Sequence, residues 1–196
     1  MVFVGDIHGQ FGAYNYLVVS KLSKSIQVGD FGFGFRTFPE HWNKSHRFIR
    51  GNHDCPDLCR KHPNYLGEYG YLEDEKIFFV SGAYSIDQQY RVPGESWWAD
   101  EQISANEYPE IIRQYIQYKP EIVVAHDCPN FVREQIPNKM TGKEHPNRTS
   151  DELMVDMIRV HRPRLWIFGH YHAPFDKTID GVRYKCLGEL ELFEEK

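Results

Sequence analysis

Short apolar runs alternate along this chain with longer segments in which apolar residues recur every three or four positions. Residues 2–4, 25–28, 47–49, 77–81, 122–125 and 165–168 read as strands covered on both faces, because their apolar character is nearly continuous. Residues 11–22, 56–61, 104–118 and 150–161 carry the helical period. Ser104 and Glu107 are spaced as a capping box, and Pro120 closes that helix. Asp180-Gly181, between the alternating stretches 176–179 and 182–187, predicts a hairpin, so the chain should finish in antiparallel strands. The Glu-rich end, 189–196, reads as a solvated edge or a frayed tail. Strands alternating with helices, without a repeat or a linker, predict one α/β domain with mixed sheets over residues 1–196.

Composition adds boundaries rather than chemistry. A chain of 196 residues is long enough for one full core and short for two domains. A net charge of −5 argues against a protein that coats nucleic acid, so such a partner stays possible but not favoured. No apolar run approaches the roughly 20 residues that span a bilayer, and no membrane role is expected. No basic segment leads into an apolar one at the start, so no secretory signal is expected. Cys55, Cys59, Cys128 and Cys186 form no CxxC pair and are too sparse for a disulfide framework. Reduced thiols and a cytoplasmic location follow as the expectation, and nothing in the pattern addresses the oligomeric state.

The candidate chemistry sits where the predicted strands end. Asp6 and His8 follow the first strand inside Gly5-Asp6-Ile7-His8-Gly9, and Gly29-Asp30 follows the second. Gly51-Asn52-His53-Asp54 follows the third, His126-Asp127 follows residues 122–125, and Gly169-His170-Tyr171-His172 follows residues 165–168. Ligands of open α/β sheets bind outside the carboxyl ends of strands. The bland alternatives are Gly-rich turns, helix-capping aspartates and buried core histidines, and for any one motif alone they compete well. Five such strand ends in one chain weigh against them. The glycines allow a sharp turn with no side chain crowding a bound ion.

In type, order and spacing these segments resemble the calcineurin-like metallophosphoesterase family, from the first residues to about Leu187. The resemblance implies a four-layer α-β-β-α sandwich of two mixed sheets with a dinuclear metal site at strand carboxyl ends. It assigns Asp6, His8 and His172 to one metal and Asn52, His126 and His170 to the other. Asp30 would bridge them together with a hydroxide, and His53 would be the unliganded catalytic histidine beside the leaving group. Oxygen ligands mixed with imidazole suit divalent transition metals, manganese first, with iron, zinc, cobalt or nickel as alternatives. Two such ions about 3.5–4 Å apart activate a water and clamp a phosphoryl group. The implied substrate is a small-molecule or nucleotide phosphate ester.

Neighbouring residues are less decided. Asp54 either orients His53 or caps the helix starting near Pro56. Arg36 and Arg50 either touch a phosphate oxygen or form surface or salt-bridge contacts. Asp127 and Cys128 read as supports for His126 or as packing residues, and His41, His46, His62, His145 and His161 as surface or packing residues. Phe31, Phe33 and Phe35 read as a core anchor rather than an aromatic wall. The irregular stretches 85–101 and 137–149 are candidates for the substrate rim.

One departure narrows the substrate. Phe33 and Gly34 stand where the phosphoprotein phosphatase branch has an Asp-Arg pair, and Asp54 stands in place of its Glu. A phosphodiester or nucleotide substrate is therefore favoured over phosphomonoesterase or protein phosphatase activity. A non-catalytic binding scaffold on the same fold is the remaining alternative, opposed by the complete set of ligand-type residues.

Overall fold

The computed structural model describes residues 1–34, 43–137 and 149–195. Two mixed sheets form its centre. The first runs in the order β10-β1-β2-β3, with β1 (Val2–Val4), β2 (Ser25–Gln27) and β3 (His46–Phe48) parallel and β10 (Leu192–Glu194) antiparallel to β1. The second runs β4-β5-β6-β7-β9-β8. In it β5 (Ile77–Val80), β6 (Ile122–Ala125), β7 (Leu165–Phe168) and β9 (Val182–Cys186) are parallel, and β4 (Tyr69–Leu72) and β8 (Phe175–Ile179) are antiparallel edges.

Alternation along each strand explains how the layers are held. Side chains of successive strand residues point to opposite faces. Phe3 and Ile26 of the first sheet meet Ile77, Phe79, Ile122, Val124, Leu165 and Ile167 of the second in one buried cluster between the sheets. The intervening residues Phe78, Val80, Val123, Ala125, Trp166 and Phe168 face outward instead. They pack under α3 (Tyr108–Tyr118) and α5 (Thr149–Val160) through Ile111, Tyr115, Leu153, Met154 and Met157. On the far side Val4 and Phe48 pack with Tyr14 of α1 (Phe11–Tyr14) and Cys59 of α2 (Pro56–Lys61). Helices, sheet, sheet and helices make the expected four-layer sandwich. Each fully buried residue of this size contributes about 1.5–3 kcal/mol over its exposed state, so strands of three to five residues suffice.

Some elements differ from their sequence reading, each for a local reason. The helix expected over 11–22 stays α-helical only to Tyr14 and continues as wide π turns over Asn15–Val19, with Ser20 N–H bonded to Asn15 O at 3.0 Å. β-Branched Val18 and Val19 fit a tight α turn poorly. Ser104 and Glu107 do form a hydrogen-bonded turn, but the helix proper begins at Tyr108, where Pro109 suits the first turn. Lys119, at φ 44°, ends it in a left-handed turn. The edge strand β4 had no apolar run to reveal it, because all four of its residues are half-buried. A four-residue α4 (Asn130–Arg133) also carried no periodic signal. Of the 189–196 end, the described residues form an edge rather than a frayed tail: β10 pairs with β1, and Phe193 stacks on Phe3 at 6.5 Å between ring centroids.

Candidate metal centre

Parallel β1, β2 and β3 bring their carboxyl ends to one side, and β6 and β7 of the facing sheet bring theirs to the same place. The loops that leave these ends are held together by their backbones. Ile7 and His8 N–H groups donate to Asp30 O at 3.1 and 2.9 Å, and Gly9 N–H donates to Phe31 O at 2.9 Å. His170 N–H donates to Asp6 Oδ2 at 3.0 Å, and His53 N–H to Asp30 Oδ1 at 2.9 Å.

Two groups of donor atoms result. Ligand atoms of Asp6, His8, Asp30 and His172 lie within 4.8 Å of one another, and so do those of Asp30, His126 and His170. Asp30 belongs to both. Asn52 Oδ1 joins the second group, 3.2 Å from His126 Nε2. The structure thus brings all seven expected ligands together in the two sets the resemblance implied.

Several features fit cations better than a self-sufficient hydrogen-bond network. His8 Nε2 and His172 Nε2 face each other at 3.0 Å, and Asp6 Oδ2 lies 3.1 Å from the same His172 nitrogen. A single proton cannot satisfy two imidazole nitrogens and a carboxylate equally, whereas one cation can. Asp6 is fully buried, yet its Oδ1 has no hydrogen-bond partner among the described residues. A buried carboxylate oxygen left without a partner is costly unless it coordinates an ion. Burial disfavours charge on His126, but the carboxylate of Asp30, 3.3 Å away, outweighs it and pushes the imidazole up to about 10. Asp30 shows the converse: burial would raise its pKa, but His126 and then His53 hold it well below the usual carboxylate range.

Backbone conformation carries the same signature. His8, Asp30, His170 and His172 have φ of 43°, 54°, 69° and 49°. Non-glycine residues in this left-handed region cost of order 1 kcal/mol or more each and cluster at functional sites. Two glycines are forced by close approach. A Cβ at Gly169 would lie 2.0 Å from Asp6 Oδ1, and one at Gly51 would lie 2.1 Å from Asp30 Oδ1.

Supporting residues fix the orientation of the ligands. His126 Nδ1 lies 2.9 Å from the Val28 carbonyl, which turns Nε2 toward Asp30 and Asn52. Asn52 Nδ2 donates to Ser85 Oγ at 3.0 Å, which leaves its carbonyl oxygen on the metal side. Asp127 takes the packing alternative: it is buried and accepts from Tyr171 Oη and Cys128 N–H. His46, His62 and His161 take the packing role expected of them. Of these His46 bonds Ser25 Oγ at 3.0 Å, while His41 and His145 lie outside the described residues.

Some neighbouring residues do something else. Asp54 neither orients His53 nor caps α2, whose N-cap residue is Cys55. Its two buried oxygens accept backbone N–H groups from Phe31, Gly32, Phe33 and Gly51 at 2.7–3.0 Å, tying the Asp30 loop to the Asn52 loop. Arg50 takes the salt-bridge alternative. It is 1% exposed, pairs with Glu68 at 2.6 Å and donates to Glu101 O at 2.6 Å. Arg36 and Phe35 lie outside the described residues, as does 138–148 of the second rim candidate. Phe31 and Phe33 are core anchors, stacked at 5.6 Å.

Three contributors escaped the sequence reading. Glu189 Oε1 lies 3.0 Å from His172 Nδ1. Ser85 is held by Glu101, its N–H donating to Oε1 at 2.8 Å. Arg91 Nη2 lies 2.7 Å from His53 Nε2. None carries a local motif. Only the irregularity of 85–101 pointed toward the last two. His53 itself is held below the ordinary imidazole range by burial, with Asp30 opposing and Arg91 adding to the effect.

A two-sheet sandwich with paired Asp/His clusters sharing one carboxylate at its strand ends defines a metal-dependent phosphoester hydrolase. The chain belongs to the calcineurin-like phosphoesterase family, whose profile matches residues 1–174, and that family implies a dinuclear divalent metal centre. Among solved structures the fold is similar to a phosphopantetheinyl hydrolase from Mycobacterium tuberculosis. The two are 15% identical, with a TM-score of 0.45 over 96% of this chain and 89% of that one. No curated protein matches the sequence. No helix among the described residues is long and apolar enough to cross a membrane.

Proposed function

We propose that this protein hydrolyses a phosphate ester, with a phosphodiester or nucleotide as the favoured substrate. The observation that carries this reading is the convergence of Asp6, His8, His172 on one side and Asn52, His126, His170 on the other about the shared carboxylate of Asp30. When bound, two divalent cations would supply a hydroxide nucleophile at neutral pH and offset phosphoryl charge. Manganese is the favoured metal, on the strength of the mixed oxygen and imidazole donors.

The chain's own residues supply position and proton handling. Asp30 uses one oxygen to accept from the His53 backbone, which fixes the catalytic loop relative to the ligands. The His53 ring stands edge-on to His8 at 5.3 Å between centroids, at the open side of the site. From there its Nε2 hydrogen-bonds or protonates the leaving oxygen, a role typically worth about 10²–10⁴-fold. A diester reading is supported by the second motif. Gly34 stands where the protein phosphatase branch has its Arg, so the second motif offers no guanidinium to a dianionic monoester, and Phe33 beside it is 4% exposed and packs on Phe48 at 5.1 Å. The four cysteines stand as thiols rather than disulfides, which supports a reducing, cytoplasmic location.

The test is hydrolysis of bis(p-nitrophenyl) phosphate and p-nitrophenyl phosphate by protein loaded with Mn, Fe, Zn, Co or Ni. The diester should be preferred, and Asp30→Asn with His53→Ala should abolish turnover. A monoester preference would overturn the substrate class. Inactivity with every metal, or activity that survives the double substitution, would overturn the mechanism and leave the scaffold alternative.

A further inference from the structure

The hydrolase reading leaves one well-placed cation unused. Arg91 follows the 3₁₀ turn Gln88–Tyr90. Its neighbours Tyr90 and Val92 are 81% and 51% exposed, while the Arg91 side chain turns inward and is 9% exposed. Its Nη2 lies 2.7 Å from His53 Nε2 and 2.7 Å from Asp87 Oδ1.

This inward position is built rather than incidental. The segment 85–101 is closed at its base by one buried carboxylate, since Glu101 accepts from both the N–H and the hydroxyl of Ser85. Ser85 in turn accepts from Asn52 Nδ2 at 3.0 Å, so the base of the loop is tied to an expected metal ligand. Within the loop, Arg91 N–H donates to Gln88 O at 3.0 Å, and Val92 N–H donates to Ser96 Oγ at 2.9 Å. Such compact loops commonly present a functional side chain.

A guanidinium has five N–H donors and no acceptor. Arg91 can therefore only donate to His53 Nε2, and while it does so that nitrogen is not available to a leaving group. A group rich in acceptor oxygens resolves the contact by taking over the guanidinium, and a phosphate ester is such a group. Asp87, 43% exposed, can follow the movement while keeping its pairing with Arg91.

We propose that Arg91, aimed by Asp87, is a substrate-gripping residue. Its guanidinium binds a non-bridging oxygen of the phosphate and, in moving to it, frees His53 Nε2 to take up a proton from solvent and pass it to the leaving oxygen. The inference rests on the phosphoesterase reading for its substrate but makes a separate claim about anion binding.

Calorimetric titration of inorganic phosphate into metal-loaded wild type, Arg91→Ala, Arg91→Gln and Arg91→Lys tests it, with metal content measured on each. The dissociation constant should rise about 10–100-fold in Arg91→Ala and Arg91→Gln, and Arg91→Lys should recover only part, because it lacks the planar fork. Metal content should stay at the wild-type level. For any ester that is turned over, the substitutions should raise KM more than they lower kcat. Phosphate binding that is absent in the wild type, unchanged in Arg91→Gln, or lost only together with the metals would overturn the proposal. An inactive wild type that still binds phosphate through Arg91 would overturn the hydrolase reading alone.

Discussion

Glu189 Oε1 sits 3.0 Å from Nδ1 of His172, on the ring face opposite the nitrogen that points at Asp6. A carboxylate behind a metal-binding imidazole fixes its tautomer and raises its basicity. The hydrogen bond to Asp6, with Glu189 contributing, raises the His172 pKa in spite of partial burial. Glu189→Gln should weaken binding at the Asp6, His8 and His172 site by about 10–100-fold with an unchanged circular dichroism spectrum. Titration of metal-free protein with Mn²⁺ measures this, and an unchanged affinity would remove Glu189 from the site.

Asp54 is expected to be a stability determinant rather than a catalytic group. Burial and the nearby Asp30 charge raise its pKa, while N–H donors from Gly51, Gly32 and Phe31 pull it down. Asp54→Asn leaves one acceptor oxygen for four backbone donors and turns an NH₂ group toward the others. The expected loss is about 3 kcal/mol, read as a lower urea midpoint at constant slope. A variant as stable as wild type would show that the two loops are held together by other contacts.

Metal removal should destabilise the fold. Asp6 Oδ1 is buried without a partner among the described residues, and His8 and His172 nitrogens face each other. Cations that bind only the folded chain stabilise it by about 2.7 kcal/mol at a hundred times their dissociation constant. Scanning calorimetry with and without chelator should therefore show a lower Tm in chelator, restored by added metal, and Asp30→Asn should show little difference. Identical transitions for wild type in both conditions would mean that these residues hold no ion.

A pH effect is expected far from the centre. Burial holds the His46 imidazole below its ordinary range, with a hydrogen bond involving the Leu22 backbone opposing. The unfolded chain then binds the proton more readily than the folded one. Stability from this group is complete above about pH 6.5 and is lost as pH falls from there toward the folded value, by at most about 1.4 kcal/mol per pH unit. Urea denaturation of wild type and His46→Gln at pH 7.5 and 5.5, at fixed metal, should show a larger loss in the wild type. Equal losses would refute it.

The chain alone determined the layers and the donor-bearing residues that the fold brings together. Period-two alternation in residues such as Phe78 and Phe79 dictates which side chain faces the other sheet, and glycines beside Asp6, Asp30, Asn52 and His170 mark the turns. These are local signals, carried by residues within one or two positions of each other. What only the tertiary structure decided lies across the chain. Glu189 reaches His172 because β10 pairs with β1 and brings the C-terminal stretch back beside the first motif. Arg50 goes to Glu68 rather than to the site because both are carried into the space beside Glu101. Asp54 looks like a helix cap in sequence, yet four backbone donors from two loops converge on it. A hydrogen bond between residues tens of positions apart leaves no periodic trace in either segment, so the converging donor residues were legible while the groups that aim them were not.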